Sequence, residues 1–273
     1  MHPNNLSDIQ DLLTTRVIGR AFTHLTRTGS TNDVAKEMAT QGAPEGTVVV
    51  ADEQTTGRGR MGRRWLAPPS TCLLCSILFR PELLPTQAQR LTMVCTLAAA
   101  DAIGAVAGLQ VWLKWPNDLV VKRQTADAIP QAWKKLAGVL TETGIAGDRL
   151  GYVIVGIGIN VNVEAQALPN LDLNATSILA ETGNRIDRAE LLAEMLAGIE
   201  QRYEALQAGT NPYHQWSERL ATLGQRVQAT AAKETLVGVA ESVDGDGALL
   251  LRTDDGTLHR LVVGDVTLNV PNS

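Results

Sequence analysis

Apolar and polar residues along this chain follow two periods, one typical of β-strands and one typical of helices. Runs with strand character occupy residues 21–25, 46–51, 72–80, 111–115, 119–121, 136–142 and 152–161. Apolar residues recur at helical spacing over residues 31–39, 87–106, 188–206 and 212–220. These runs predict a chain of both strands and helices, but they do not give the order of the strands in a sheet.

The residues after 224 have a different character. Five short strand-like runs occupy residues 227–230, 236–240, 248–251, 258–261 and 266–268. Asp-Gly turns at residues 244–247 and 254–256 separate three of these runs, which is typical of β-hairpins. We therefore predict two domains, residues 1–222 and residues 223–273, the second being a small closed or half-closed β-barrel.

Composition limits the classes of protein to which this chain is expected to belong. Its 24 basic residues against 29 acidic ones argue against a general nucleic-acid surface. Residues 93–109 are the longest apolar stretch, but Asp101 interrupts them, so they predict a buried helix rather than a membrane span. No basic-then-apolar signal pattern opens the chain. We expect a cytoplasmic protein with no membrane partner.

The three cysteines show no disulfide pattern, as expected in a reducing compartment. Cys72 and Cys75 spell C-x-x-C, a spacing that also occurs in metal sites. Here both fall in a strand-like run, where residues three apart face opposite sides. We therefore expect buried apolar cysteines rather than a shared metal ion.

The most unusual stretch covers residues 57–65, where three glycines alternate with four arginines before Trp65. Glycine lets the backbone approach a ligand closely, and arginine offers donors that suit phosphate or carboxylate oxygens. We interpret the stretch as an anion-binding loop, with a solvated surface turn as the alternative.

The same stretch also matches the dinucleotide-binding pattern G-x-G-x-x-G. Pro68 and Pro69 follow where a dinucleotide-binding fold needs a helix, so we reject that function.

Polar residues next to two other predicted elements are candidate ligand contacts. Ser30, Thr31 and Asn32 stand at the start of a predicted helix, where they either face a ligand or only cap the helix. Gln54 ends the strand that leads into the Gly-Arg stretch. Its neutral amide is able both to donate to a ligand and to accept from it.

Two further runs allow more than one interpretation. Asn117 and Asp118 follow Pro116, and they form either a turn or a contact to a triphosphate and its metal ion. Gly156 and Gly158 interrupt a buried strand, which indicates close approach by a ligand or by a neighbouring strand.

Taken together, four of these runs resemble the biotin protein ligases, also called biotin–[acetyl-CoA carboxylase] ligases. The runs are residues 30–32, 54–65, 114–118, and 135–140 with 156–160. The pair G-R-G-R-x-G-R-x-W and K-W-P-N-D is highly specific, and the resemblance covers the chain from about residue 20 to the end. It implies an α+β fold with a mixed central β-sheet flanked by helices, followed by a small SH3-like C-terminal β-barrel.

The resemblance implies a reaction in two steps. The biotin carboxylate attacks the α-phosphate of magnesium-bound ATP and gives biotinyl-5′-adenylate and pyrophosphate. A lysine of the biotin carboxyl carrier protein of acetyl-CoA carboxylase then attacks this mixed anhydride and displaces AMP. ATP with Mg²⁺ and biotin are thus expected as substrates, and no permanently bound cofactor is implied.

The resemblance also implies roles for individual residues. Biotin contacts are implied for Ser30, Thr31, Asn32, Gln54, Arg58, Gly59, Arg60 and Lys135. Contacts to ATP or the adenylate are implied for Arg58, Arg60, Arg63, Trp65, Asn117, Asp118 and Asn160. Lys135 and Arg60 would be the catalytic cations, and Asp118 would hold magnesium, because this ion needs few protein oxygens. Lys114 and Trp115 could equally be structural. No role is implied for the polar connection over residues 123–133.

Some members of this family carry an N-terminal helix-turn-helix domain and double as repressors. Only 29 residues precede Ser30 here, without a basic recognition helix, so we expect no DNA binding.

An exposed sheet edge could pair two chains into a homodimer. Two alternatives to a biotin ligase stay open: a lipoate or octanoyl ligase, which would need a long apolar slot, and a non-catalytic biotin-responsive regulator.

Overall fold

The computed structural model describes residues 6–123, 132–172, 174–231 and 234–268. A seven-stranded sheet forms the centre of the larger domain, in the order β1-β2-β3-β7-β6-β5-β4. Its strands are β1 (Phe22–Thr28), β2 (Val48–Gln54), β3 (Cys72–Phe79), β4 (Trp112–Lys114), β5 (Asp118–Arg123), β6 (Ala132–Ala146) and β7 (Arg149–Asn160). β1 and β2 run parallel and every other neighbouring pair is antiparallel, which confirms the mixed sheet.

Helices cover both faces of this sheet. They are α1 (Thr31–Thr40), α2 (Gln89–Ala107), α3 (Ile178–Thr182), α4 (Arg188–Gln207) and α5 (Tyr213–Glu218). α2 and α4 pack against one face and against each other, and α1 packs against the opposite face. By length and composition α2 could cross a membrane, but most of it is buried, which confirms the predicted core helix. α3 was not predicted, because five residues are too few to show a helical period.

Side chains along β3 alternate between two apolar clusters. Leu73 and Cys75 face the main core beneath α2 and α4, whereas Cys72 and Leu74 face the other side. The two cysteines of the C-x-x-C spacing are thus buried on opposite faces, as the strand period predicted. Burial raises the pKa of the Cys75 thiol to about 12, so this group stays protonated and unreactive at neutral pH.

The C-terminal region forms a separate antiparallel sheet of five strands, in the order β11-β10-β9-β8-β12. The strands are β8 (Arg226–Ala231), β9 (Glu234–Val243), β10 (Leu249–Thr253), β11 (Leu258–Leu261) and β12 (Asp265–Leu268). Each of the five predicted strand runs is present, which confirms the small β-module. The buried Trp115 donates from Nε1 to the Gly247 carbonyl at 2.8 Å and so attaches the β9–β10 turn to the larger domain. Trp115 therefore has a structural role.

The two edges of the central sheet differ. Beyond β4, the backbone of Leu113 exchanges hydrogen bonds with Arg219 and Ala221, which cover that edge. β1 has no strand partner on its outer side among the described residues. The homodimer expected through an exposed sheet edge therefore stays a prediction, with β1 as the candidate strand. Most of the polar connection over residues 123–133 lies outside the described residues.

Glu200 of α4 anchors the segment that precedes β1. Its carboxylate accepts hydrogen bonds from the backbone N–H groups of Arg16 at 2.7 Å, and of Val17 and Ile18 at 2.8 Å. Burial acts to raise the pKa of Glu200, but the three N–H donors and the charge of Arg16 outweigh it, and the pKa is lowered. A carboxyl with a depressed pKa stabilises the fold above its unfolded pKa, and this contribution is lost as the pH falls through the folded pKa.

We therefore expect Glu200→Gln to lower the free energy of unfolding by about 1–3 kcal/mol at pH 7, because backbone donors to a charged acceptor are weakened. Urea unfolding of both proteins at pH 7, 5 and 3 measures this difference. It should shrink as the pH falls below the ordinary pKa of a glutamate, because the contribution of the charge is lost progressively down to the lowered pKa of the folded protein. A difference that stays constant with pH would contradict the assigned role of the charge.

Candidate active site

A cleft opens on the α1 side of the central sheet, where neighbouring strands carry small residues instead of large side chains. Gly156 of β7 lies opposite Ser76 of β3, and Gly158 of β7 lies opposite Gly138 of β6. With no bulk at these positions, the strands leave a cleft of about 1020 Å³, including its open mouth. A space of this size suits a ligand of the size of a cofactor or nucleotide.

The glycines of β7 accommodate two side chains. A Cβ at Gly158 would lie 2.6 Å from the Trp65 ring, and a Cβ at Gly156 would lie 2.1 Å from Asn32 Oδ1. Any larger residue would displace these side chains. Another part of the protein therefore does approach these two glycines closely, as expected. It is a side chain of the Gly-Arg stretch and one of α1, rather than the backbone of a neighbouring strand.

Residues 57–65 fold back on themselves beside the cleft. Trp65 N–H donates to the Gly57 carbonyl at 2.9 Å, and Gly59 N–H donates to the Arg63 carbonyl at 2.7 Å. A Cβ at Gly57 would lie 2.6 Å from the Trp65 carbonyl oxygen, so glycine is required at this close approach. The turn-back directs several arginines of one short segment towards the cleft and its rim.

All residues for which the resemblance implies a contact line this one cleft. They are Ser30, Thr31, Asn32, Gln54, Arg58, Gly59, Arg60, Arg63, Trp65, Asn117, Asp118, Lys135 and Asn160. They come from α1, from the Gly-Arg stretch and from the ends or centres of β2, β5, β6 and β7. The tertiary structure thus brings together residues that are up to 130 positions apart (Ser30 to Asn160).

One end of the cleft carries neutral hydrogen-bonding groups. Ser30 occupies the N-cap position of α1, yet its side chain makes no capping hydrogen bond, so capping alone does not explain it. Thr31 donates to Gln54 Oε1 from its backbone N–H at 2.7 Å, and its hydroxyl lies 3.0 Å from the same oxygen. Because Oε1 is engaged, Gln54 presents its Nε2 group to a ligand.

The other end of the cleft is cationic. Lys135 Nζ lies 2.8 Å from Asp118 Oδ1 and 5.7 Å from the centroid of the Trp65 ring. Arg60 donates from Nη1 to Asn117 Oδ1 at 3.2 Å. A carboxylate and an amide thus hold the two cations in place, so little reorganisation is needed when an anionic ligand binds.

Burial strengthens the electrostatics of this end. It lowers the pKa of Arg60, an effect that the Asp118 carboxylate opposes and the Arg63 charge supports. Burial is also the main cause that lowers the pKa of Lys114. The Arg60 guanidinium stays charged at neutral pH, because its ordinary pKa is far above 7. Partial removal from water increases its attraction for anionic ligand atoms.

A β-bulge directs Lys135 into the cleft. Gly138 faces the cleft, and strict alternation along β6 would place Lys135 on the opposite face. The register between β5 and β6 shifts between Lys135 and Ala137, so that Leu136 is an extra residue, and Leu136 and Ala137 both belong to the main core. The extra residue reverses which face of the sheet the preceding residues of β6 occupy. The Lys135 side chain therefore points into the cleft.

Two carboxylates of the site were not predicted. Asp265 of β12 forms an ion pair with Arg63 and lies 3.9 Å from Arg60 Nη1, so the C-terminal sheet contributes directly to the cleft. Glu142 of β6 pairs with Arg58 at 2.9 Å. Single acidic residues within strands carry no local signal of function. Only the register of the strands and the packing of the two sheets reveal them.

Comparisons with known proteins agree with this geometry. Residues 24–160 match the biotin/lipoate A/B protein ligase family, and residues 222–268 match the biotin protein ligase C-terminal domain. The chain is 35% identical over 265 residues to the bifunctional ligase/repressor BirA of Bacillus subtilis, covering 96% of this chain and 78% of that protein. It is 33% identical to the biotin–[acetyl-CoA-carboxylase] ligase of Paracoccus denitrificans, covering 85% of this chain and 94% of that protein.

Among solved structures, the biotin protein ligase from Aquifex aeolicus in complex with biotin and ATP is similar, with a TM-score of 0.73 and 27% identity. The match covers 92% of this chain and 99% of that one. Together with the matches to both domain families, this likeness confirms the mixed sheet and the SH3-like C-terminal module. The chain therefore belongs to the biotin protein ligases, within the biotin/lipoate A/B protein ligase family.

Proposed function

We propose that this biotin ligase forms biotinyl-5′-adenylate and pyrophosphate from biotin and ATP, and then biotinylates the biotin carboxyl carrier protein of acetyl-CoA carboxylase. One observation carries the proposal: a single cleft has neutral hydrogen-bonding groups at one end and cations at the other. The neutral end suits a ureido ring, and the cationic end suits a carboxylate beside a phosphate. The ligases of Paracoccus denitrificans and Mycobacterium tuberculosis, named for acetyl-CoA carboxylase, support the choice of carrier.

At the neutral end, Ser30, Thr31 and Gln54 are the proposed contacts to the biotin ring system. The Ser30 hydroxyl makes no capping bond and the Gln54 amide nitrogen has no partner among the described residues, so both are available to a ligand. Asn32 borders this end, and the backbone at Arg58 and Gly59 would close over the ring.

At the cationic end, the proposed first step joins two anions. An oxygen of the biotin carboxylate attacks the α-phosphorus of ATP, and the bond from this phosphorus to the pyrophosphate oxygen breaks. Arg60, Arg63 and Lys135 would offset the repulsion between the reacting groups and stabilise the charge that develops between them. In the second step the ε-amine of a carrier lysine attacks the acyl carbon, and AMP leaves with the electrons of the broken C–O bond.

Three further residues would hold the nucleotide part of the adenylate. The Trp65 ring would enclose it, and Asn160, which donates to the Thr176 carbonyl at 2.9 Å, lies at the proposed adenine position. Asn117 accepts from Arg60 and would adjoin the triphosphate. Each of these side chains is held by the protein before any ligand binds, which limits the entropy lost on binding.

Asp118 is the proposed magnesium ligand. Its Oδ1 pairs with Lys135, and its Oδ2 has no partner among the described residues. No cluster of three or more acidic, histidine or cysteine side chains occurs in the part of the chain that the structure describes. One carboxylate fits magnesium, which commonly takes its other ligands from substrate phosphates and water. When bound, the ion would neutralise phosphate charge.

Biotin-dependent exchange of labelled pyrophosphate into ATP tests the first step, and transfer of labelled biotin to purified carrier protein tests the second. We expect exchange with biotin and not with lipoate or octanoate, followed by labelling of the carrier. A carrier whose acceptor lysine is changed to arginine serves as the control. Exchange driven by lipoate would overturn the substrate assignment, and tight biotin binding without exchange would support a regulator instead.

Exposed apolar side chains close in sequence to two cleft residues support a protein as the second substrate. Val262 and Val263 are 63% and 62% exposed, and Met61 is 57% exposed. Val263 lies two residues before Asp265, and Met61 lies two residues before Arg63. Asp265 and Arg63 form an ion pair, and both line the cleft. We propose that the three apolar residues, here called the apolar rim, border the mouth through which the carrier lysine enters. We propose that the surface around this lysine packs on the apolar rim.

Replacing both valines of the apolar rim, as Val262→Asp with Val263→Asp, should raise the KM for carrier protein about tenfold, because apolar contact is lost and charge is added. Pyrophosphate exchange should stay within about twofold of wild type, since neither valine lines the cleft. Leu258→Asp is the matched control, because it is an exposed apolar position at the start of β11, whereas the two valines lie after the end of this strand. Equal KM values for all three proteins would exclude the rim as a docking surface.

We also propose that these 273 residues do not act as a repressor. The described residues before β1 include one short 3₁₀ helix, Leu6–Asp11, and its Leu6 and Ile9 are buried in the main core. One short helix anchored in the core is not the two-helix motif that places a recognition helix in a DNA groove. Gel-shift titration with the promoter DNA of biotin-synthesis genes tests this proposal, and salt-sensitive, sequence-specific binding would overturn it.

A further inference from the structure

Glu142 joins the Gly-Arg stretch to the start of α1, and the reaction above assigns it no part. Its Oε2 accepts from Arg58 Nη2 at 2.9 Å and from Asn32 Nδ2 at 2.7 Å. Its Oε1 lies 3.2 Å from the same Arg58 nitrogen. One carboxylate thus contacts both segments that border the neutral end of the cleft.

Arg58 is also paired with a second carboxylate. Its Nη2 lies 2.6 Å from Asp33 Oδ1, so the guanidinium lies between Asp33 and Glu142. Two negative charges offset its single positive charge, which leaves little attraction for a phosphate. The side chain of Arg58 therefore holds the Gly-Arg stretch against α1 and β6, whereas Arg60 and Lys135 remain the cations at the reacting end.

Glu142 also determines the direction of a chain of hydrogen bonds. As a carboxylate it only accepts, so Asn32 must donate from Nδ2 and accept through Oδ1. Ser76 then donates its one hydroxyl proton to Asn32 Oδ1 at 2.6 Å. The Thr31 hydroxyl lies 2.7 Å from the Ser76 hydroxyl and 3.0 Å from Gln54 Oε1, so a protein acceptor is in reach of its one proton. The hydrogen bonds that Ser76 and Asn32 donate in this chain both point towards Glu142.

The hydrogen bonds of Thr31 and Gln54 decide what a ligand meets. With its proton given to a protein acceptor, the Thr31 hydroxyl oxygen offers a lone pair to a ligand and acts as an acceptor. Gln54 Oε1 is held by the Thr31 backbone N–H, so Gln54 Nε2 acts as a donor. An acceptor beside a donor matches a group that carries N–H next to C=O, such as a cyclic urea.

We propose that Glu142 is a positioning residue for biotin. It orients Asn32 and Ser76, which contact the Thr31 hydroxyl, and through Arg58 it holds the Gly-Arg stretch over the ring. This inference rests on the proposed biotin end of the cleft. It assigns Glu142 and the Arg58 side chain to biotin affinity and not to the binding of ATP.

The test is Glu142→Gln, which keeps the shape but removes the charge and allows both hydrogen-bond directions. We expect the Kd for biotin, by calorimetry without ATP, and the KM for biotin in pyrophosphate exchange to rise about tenfold. The KM for ATP should change less than about twofold, with kcat at saturating biotin largely retained. Glu53→Gln is the matched control, because Glu53 forms an ion pair with Arg27 at 3.3 Å beside Gln54 but does not line the cleft.

A double-mutant cycle with Arg58→Gln separates positioning from general damage. If the two side chains act together, the double variant should bind biotin little worse than Glu142→Gln alone. Unchanged biotin affinity in Glu142→Gln would overturn the inference. So would equal increases in the KM for biotin and for ATP, which indicate a distorted cleft. Absence of biotin-dependent exchange in the wild type would instead overturn the proposed function.

Discussion

Replacing Lys135 with alanine should lower the rate of biotin-dependent pyrophosphate exchange by about two to three orders of magnitude. Lys135 is the lysine at the cationic end of the cleft, held 2.8 Å from Asp118 and close to the Trp65 ring. Its removal would leave the repulsion between carboxylate and phosphate less compensated, and it would leave Asp118 without its partner. Pyrophosphate exchange at saturating biotin and ATP measures the effect on kcat.

The neighbouring lysine provides the control. Lys134 precedes Lys135 on β6 and does not line the cleft. Because successive strand residues face opposite sides, Lys134→Ala should keep exchange within about threefold of wild type. Lys135→Arg keeps the charge but has a different shape, so we expect intermediate activity. If Lys135→Ala retained more than a tenth of wild-type exchange, Lys135 would not be a catalytic cation.

Arg188→Met should lower the free energy of unfolding by about 3–5 kcal/mol, the range for breaking a buried ion pair. The Arg188 side chain is 1% exposed and donates to Asp52 Oδ1 at 2.9 Å and to the Cys72 carbonyl at 3.0 Å. The variant leaves the Asp52 carboxylate, 18% exposed, with His24 at 2.9 Å as its remaining side-chain partner among the described residues. Urea unfolding at pH 7 measures the loss.

A surface ion pair three residues away is the matched control. Arg185 pairs with Glu164, and both side chains are more than 45% exposed. Arg185→Met should therefore cost less than about 1 kcal/mol. Similar losses in the two variants would show that burial does not determine the contribution of Arg188. Because Asp52 and Cys72 lie near the strand ends that carry the Gly-Arg stretch, loss of Arg188 is also expected to loosen the cleft.

Local sequence patterns were sufficient for the elements and for much of the site. The strand period placed Cys72 and Cys75 on opposite faces, and the structure confirms it. The helical period over residues 87–106 differs from α2 by one or two residues at each end. The Gly-Arg stretch and the K-W-P-N-D run identified the family, because few other sequences combine such residue types at these spacings. Of the polar residues in these runs, the arginines, Asn117 and Asp118 line the cleft, whereas Lys114 does not.

Other features of the site could not be read from local patterns. Alternation along β6 would place Lys135 away from Gly138, and only the bulge in its pairing with β5 reverses this. Asp265 reaches Arg63 from a different sheet, and Glu142 reaches Arg58 from 84 residues away. Contacts of this kind depend on strand register and on the packing of distant segments, neither of which residue spacing along the chain encodes.

By itself, then, the sequence determined the chemistry available to this protein: the arginines, lysines and amides of the site, the glycines that make room, and the strand and helix segments that carry them. The tertiary structure decided the order of the strands, the face on which Lys135 lies, and the carboxylates that hold Arg58 and Arg63. The physical reason is that residue type and period act over a few neighbouring positions. Strand pairing and side-chain partners are selected among many distant segments by the packing of the whole core.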